Sequence, residues 1–404
     1  MSLRTSTLIC VALMAGLAAG PVAAAQSFTK SATYRNPAIK AGGSLDLTNL
    51  VGHVTVVAAG DGVLAVDSHV VAAAGSDQGA QALAGKINIE TKVSGNQVTM
   101  FVHYPLDDYT TYYYAHGSGF VIGMGETSTS YEDTRVHITN GTFGSGANLH
   151  VDLTVHAPKG LTVNIENKVG KIDASGVDSS LALKSASGDI QAKDGSGSLS
   201  AETGSGDVTV DTQSGAVTLH SGSGDLEMRH QKGGDVLVKT GSGDVKLEDI
   251  AGTVSGGTGS GDVELRKYTG NGVELDTGSG GITIDDASGS MKLSAGSGDI
   301  KATGLTATKV IETSTGSGDV TLSGDLGDLV RLTSESGSGS IVIHTSRVPS
   351  LHITATSDSG DVDVDLPGMQ NVSAHHHSIR ADVNGGKGSA QLEAGSGDVT
   401  FSKD

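Results

Sequence analysis

Residues 204–210 read Gly-Ser-Gly-Asp-Val-Thr-Val, and the phrase keeps returning. It appears as Gly222-Ser223-Gly224-Asp225-Leu226, Gly241-Ser242-Gly243-Asp244-Val245 and Gly259-Ser260-Gly261-Asp262-Val263, and again from Gly296, Gly316 and Gly395. Degenerate copies sit at Ser187-Gly188-Asp189-Ile190, at Gly278 to Ile282, at Gly337 to Ile341 and at Ser359-Gly360-Asp361-Val362. With the degenerate copies included, neighbours from Gly188 to Gly360 lie 18 to 21 residues apart. A weaker copy falls halfway. Ile190, Leu199, Val208, Val217, Leu226, Val236, Val245 and Val254 follow one another in steps of 9 or 10. Most open an apolar-x-apolar triplet, such as Val208-Thr209-Val210, Val217-Thr218-Leu219 and Val245-Lys246-Leu247. A period of two marks a half-buried strand. The glycines ahead of it mark a corner that needs either positive φ or close backbone approach. Each unit of ~9 residues is then one strand and one corner, and two units close a coil. Coils stack as parallel strands at the ~4.8 Å strand spacing. The expected fold class is all-β, a parallel β-solenoid (β-helix) with ~18-residue, two-strand coils over residues 159–404. A disordered Gly/Ser stalk has no reason to hold Val in register over such a length.

Composition agrees with this reading. Glycine takes 60 of 404 positions, proline only 6, and aromatics are 3%. A conventional core of this length would use more large side chains. Cys10 is the only cysteine, which removes disulfides, thiolate metal sites and thiol nucleophiles beyond the N-terminal segment. A net charge of −19 argues against nucleic acid, whose recognition needs a basic footprint, and against docking on anionic lipid. Residues 1–25 read as a signal peptide: Arg4, the apolar run Leu8 to Leu17, then Pro21 before Ala23-Ala24-Ala25. No later stretch approaches the ~18–20 apolar residues of a spanning helix. An exported protein follows as the expectation, with the periplasm as default address and the cell surface or medium as alternatives.

Residues 26–158 differ from the repeat. Leu45-Asp46-Leu47, Val54-Thr55-Val56 and Ile87-Asn88-Ile89 read as strands, and Gln78 to Lys86 as a short helix. A solenoid needs its end strands covered, so this segment is expected to be an N-terminal β-rich cap. Within it, residues 104–148 form an insertion holding Tyr104, Tyr109, Tyr112, Tyr113, Tyr114 and Tyr131, six of the eight tyrosines. The opening Gly43-Ser44-Leu45-Asp46-Leu47-Thr48-Asn49-Leu50-Val51-Gly52-His53-Val54-Thr55-Val56 resembles the start of the bacterial putative-adhesin family of exported β-strand-repeat domains of unknown function. The passage from Val155-His156-Ala157-Pro158-Lys159-Gly160-Leu161-Thr162-Val163 into the Ser-Gly-Asp-Ile/Val repeats resembles it too. The resemblance implies an exported solenoid with an adhesin-like role and no catalytic residues. The tyrosine-rich insertion departs from the common pattern.

Several constellations carry possible chemistry. The repeated aspartates, Asp207, Asp225, Asp244 and Asp262 among them, stack at one corner in a solenoid. Carboxylates ~5 Å apart repel by ~1 kcal/mol per neighbour even in water. Relief comes from turn amides or, as the sharper alternative, from calcium. The nonapeptide calcium solenoids place Asp differently and at both corners, so the match is poor. A glycosidase needs two carboxylates in distinct environments, which a repeated Asp does not offer. His375-His376-His377 alternates sides along a strand and reads as an exposed loop. Small hydroxyl residues such as Thr212, Ser221 and Thr240 are expected at narrow corners, in stacked hydroxyl ladders. The tyrosine rings of the insertion either cover the solenoid's end or form a binding surface; in the second case Tyr109, Tyr112, Tyr113 and Tyr114 are the candidate binding residues, since loops on a rigid scaffold carry function and tyrosine offers apolar area with a polar tip. The expected function is therefore a non-catalytic, adhesin-like surface. No cofactor is expected, and the partner is a protein or a cell-envelope component. The alternatives are a periplasmic scaffold or sensor partner in envelope homeostasis and, behind it, a polysaccharide-acting β-helix enzyme.

Overall fold

The computed structural model describes residues 25–114, 126–140 and 146–404. Residues 1–24 of the expected signal peptide lie outside them. The chain divides into two compact units, the first ending at Thr209 and the second running from Val210 to Asp404. Both are built from the same coil, and the described residues hold one short helix, Asp77–Ala84.

In the second unit the apolar triplets stack in two columns. On one face Val217 lies opposite Val236, Val236 opposite Val254, Val254 opposite Val273 and Val273 opposite Met291, all in parallel pairs. On the other, Leu226, Val245, Val263, Ile282 and Ile300 follow in register. Every one of these side chains is 3% exposed or less, because alternation sends it between the sheets and its neighbours outward. The outward residues Glu227, Lys246 and Glu264 belong to one face; Thr218, Leu237, Ser255 and Glu274 belong to the other.

The corner glycines serve close approach. A Cβ on Gly243 would lie 2.1 Å from the carbonyl oxygen of Gly224, one coil earlier, and one on Gly261 would meet Gly243 at the same distance. The hydroxyl residue just before the corner ties neighbouring coils together. Thr240 donates to the Gly224 carbonyl (2.8 Å) and accepts the Gly243 N–H (3.3 Å). Thr258 and Thr277 repeat the pattern. These three hydroxyls thus bond main chain and not one another. Thr212 belongs elsewhere. It sits at the opposite corner with φ +56°, in a left-handed column with His230, Asp249, Lys267 and Asp286. That kink turns the following residue inward, so Gln213, Gln231, Ile250, Tyr268 and Ala287 are buried as corner fillers. Tyr268 fits there because its hydroxyl donates to the Gly252 carbonyl at 2.6 Å and accepts the Gly272 N–H at 3.0 Å.

In the first unit, coil pairing begins inside the segment expected to be a cap. Ser44–Val51 runs parallel to Thr162–Val169, with Leu45 opposite Val163, and Val54–Ala58 runs parallel to Ile172–Ser175. The intervening chain returns as antiparallel cover. Gln26–Asn36, Leu64–Ala74 and Asn148–Ala157 pair antiparallel in that order on one face, and the hairpin Asn88–Ser94/Gln97–His103 closes the other. The helix packs beside them with Ala80, Leu83 and Ala84 buried; Ser76 caps it, its hydroxyl accepting the Gly79 N–H at 3.1 Å.

Candidate functional site

The tyrosine-rich insertion builds a three-stranded sheet of its own. Thr111–Tyr113 runs parallel to Thr134–Thr139, and Glu126–Tyr131 pairs antiparallel with the latter. Its aromatic residues divide into an inner and an outer set. Tyr104, Tyr112 and Tyr131 are buried, and both Tyr112 and Tyr131 stand edge-on to the Tyr104 ring at 5.4 and 6.1 Å. Tyr104 donates to the Val51 carbonyl at 2.8 Å, and Tyr131 to the Val102 carbonyl at 2.6 Å. Burial raises the ionisation of all three phenols above the usual tyrosine range.

Of the four expected binding residues, Tyr112 is therefore corrected. It has no exposed surface, and its ring packs edge-on against Tyr104. The other three are half-buried. The Tyr109 ring carries the Lys86 ammonium 5.2 Å from its centroid, and that ammonium pairs with Asp108 at 2.6 Å. The Tyr113 hydroxyl accepts the Gly146 N–H at 3.1 Å. The Tyr114 ring leans on His150 at 5.1 Å, and burial pushes its phenol up to about 12.

Beside Tyr114 opens a cleft of about 570 Å³. Tyr114, Thr127, Ile138 and Asn140 form the wall given by the insertion. His53, Lys171, Ser187, Gly188, Asp189 and Gly206 form the wall given by the coils. Thr127 and Ser187 touch through their hydroxyls at 3.4 Å. Behind the coil wall the polar groups interlock. His53 Nε2 lies 2.7 Å from Asp173 Oδ2, and Lys171 lies 3.0 Å from the other oxygen of the same carboxylate. The His53 N–H donates to Asp152 at 2.8 Å. His150 stands 3.8 Å from Asp152, but burial outweighs that carboxylate and keeps the imidazole below its usual range. The same outward sheet face continues through Asp67, which accepts from Thr33 at 2.5 Å and pairs with His156 at 2.9 Å. Bonded partners in this set are up to 120 positions apart in sequence, and only strand pairing brings them together. Their single local trace is a set of His and Asp residues at outward positions of alternating strands.

The aspartate column is an amide ladder. Asp262 donates its N–H to Asp244 Oδ1 at 2.9 Å, Gly281 to Asp262 at 2.8 Å, and Asp207 to Asp189 at 3.1 Å. Among the described residues no group of three His, Cys, Asp or Glu side chains has the geometry to hold a metal ion. His375 and His376 end an antiparallel hairpin, and His377 Nδ1 lies 2.7 Å from the Gly360 carbonyl.

Residues 211–350 match the family model described as Toastrack DUF4097. This stretch lies within the repeat on which the resemblance to the putative-adhesin family rests. No curated protein matches the chain. Among solved structures, a putative cell adhesion protein from Clostridium sporogenes aligns with 10% identity and TM-score 0.18, over 94% of this chain and 100% of its own. A putative adhesin from Bacteroides fragilis aligns with 11% identity and TM-score 0.21, over 93% of this chain and 97% of its own.

Proposed function

We propose that the protein is a non-catalytic, exported, adhesin-like β-solenoid whose binding surface is the cleft beside Tyr114. The observation behind this is the division of the insertion. Its inner tyrosines hold it against the cap, while its outer wall, with Tyr114 and Asn140, faces His53, Lys171 and Asp189 across open space. Such a wall offers donors, acceptors and an aromatic edge on a rigid support. It suits a polar protein segment or cell-envelope component better than an apolar small molecule. Among the described residues no helix is long and apolar enough to cross a membrane. The alternative role, a periplasmic scaffold or sensor partner in envelope homeostasis, uses the same cleft.

Lys171→Ala and Asn140→Ala test this reading. Both change the cleft wall and leave Tyr104, Tyr112 and Tyr131 packed. Reduced capture of an envelope fraction, with unchanged melting, is the expected result. Unaltered capture by the double variant would remove the cleft as the binding surface. Protease digestion of the protein on intact cells separates the surface role from the periplasmic one.

A further inference from the structure

Near the end of the chain the order of coils in space departs from the order in sequence. Gly388–Ala394 lies between Arg331–Ser336 and Leu351–Ser357, parallel to both, with Leu332, Ala390 and Ile353 in one register. Val399–Lys403 lies between Ile341–Thr345 and Val362–Asp365, with Ile343, Phe401 and Val364 in one register. The coil 388–403 therefore fills a slot, one coil thick, between two coils that precede it. Between Thr345 and Leu351 the chain steps over this slot, about two strand spacings or ~9.6 Å. Leu392, Val399 and Phe401 have no exposed surface inside it.

The chain enters the slot through a short crossover. Ser378–Val383 and Gly388–Ala394 flank opposite edges of Leu351–Ser357, and Leu351 is opposite both Val383 and Gly388. Residues 384–387 alone pass from one edge to the other, again about two strand spacings (~10 Å). Asn384, Gly385 and Gly386 all take left-handed conformations, with φ of +50°, +86° and +60°. The Ser350 hydroxyl donates to the Asn384 carbonyl at 2.8 Å and holds the crossover down.

We infer that coil 388–403 is an exchangeable element, and that the slot accepts the same coil from a second copy of this chain. The slot is selective. A Cβ at Gly395 would lie 2.2 Å from the Gly337 carbonyl, and one at Gly397 would lie 2.3 Å from Gly339, so an occupant needs the Gly-x-Gly corner. It also needs a small residue where Ala390 stands and an aromatic one where Phe401 stands, both buried. A second copy meets all of these demands and repeats every ladder bond. Only the crossover differs between the two arrangements, and extending it releases three left-handed residues. Short, constrained hinges favour this kind of reciprocal exchange.

Deleting Gly385 and Gly386 from the full chain tests the inference. Three Cα–Cα steps then span at most ~11.4 Å, too short to arch over a strand across ~10 Å. Return into the chain's own slot is blocked. In a Cys10→Ser background, Val342→Cys with Thr400→Cys reports the occupant, since these outward residues are opposite one another in parallel strands. The expected result is a dimer by light scattering, with the disulfide joining two chains on a non-reducing gel. A folded monomer with an intrachain disulfide, or a dimer whose disulfides are all intrachain, would overturn the inference. If the deletion variant does not fold, the cysteine pair with the full hinge decides. Refolded at rising concentration, it should yield a growing share of interchain disulfide. Intrachain disulfide alone at every concentration rules exchange out.

Discussion

The main-chain N–H of Asp244 donates to Oδ1 of Asp225, the equivalent residue one coil earlier, over 2.8 Å. The carboxylates of Asp244, Asp262, Asp299 and Asp319 likewise each bind a main-chain N–H of the coil that follows. The arrangement answers a problem set by the repeat, since stacked acids would otherwise only repel. Asp225→Ala is expected to cost about 1–2 kcal/mol, the value of a charge-assisted bond to an exposed acceptor. Asp225→Asn should cost less, because the amide oxygen still accepts. Calcium at fixed ionic strength should move the melting temperature little in the parent protein. A large calcium-specific rise, lost when Asp225 and Asp244 both become Asn, would establish an ion site in the column instead.

Two glycine substitutions separate close approach from flexibility. At Gly243 a Cβ would meet the Gly224 carbonyl at 2.1 Å, so Gly243→Ala must push two coils apart. Its cost is expected at about 1–3 kcal/mol or more. At Gly272 the nearest atom to a Cβ is 3.9 Å away, and Gly272→Ala should be neutral or slightly stabilising. Equal melting shifts in thermal unfolding would contradict the role given to the corner glycines.

Thr240→Val keeps the shape of the corner and removes its hydroxyl. The buried Gly243 N–H and Gly224 carbonyl both lose their partner. Denaturant unfolding should show a loss of about 1–3 kcal/mol with an unchanged slope. A neutral result would mean that water replaces the hydroxyl.

Facing along the strand is tested by Val245 and Lys246. Val245 has no exposed surface, and Val245→Asp places an unpaired charge between sheets. That variant should lose several kcal/mol or fail to fold, well above the ordinary range of single substitutions. Lys246→Thr, on the outward face, should stay within about 0.5 kcal/mol of the parent.

The inner tyrosines predict an alkaline limit. Burial raises the ionisation of Tyr104 and Tyr131 in the folded state above the unfolded value of ~10. Their contribution is complete below that value and is lost as the pH climbs from it towards the raised one. Ultraviolet titration of phenolate should therefore show a late group of tyrosines that ionise together with unfolding. Smooth, complete ionisation of every tyrosine in the intact fold would show that the inner set is open to solvent.

Period and composition alone determined the coil. Val at every second position, Gly at every corner and the 18-to-21-residue spacing admit parallel stacking and little else, because only a solenoid buries such a repeat evenly. The aspartate column was legible for the same reason, since equal residues stack at equal places, but sequence left amide and calcium relief both open. What sequence left open lies where the repeat lapses. The outward grouping of His53, Asp152 and Asp173 arises from strands that are distant in sequence, and pairing across a sheet leaves no local mark. Tyr112 and Tyr114 are two positions apart and look alike in sequence, yet one ring is buried against Tyr104 and the other borders a cleft. The place of coil 388–403 is the sharpest case. Its Gly-Ser-Gly-Asp-Val phrase fits any coil boundary equally well, so local chemistry names the kind of neighbour it needs but not which one. Only the tertiary structure, through the four-residue crossover of Leu351–Ser357, selects the slot between coils 331–345 and 351–365.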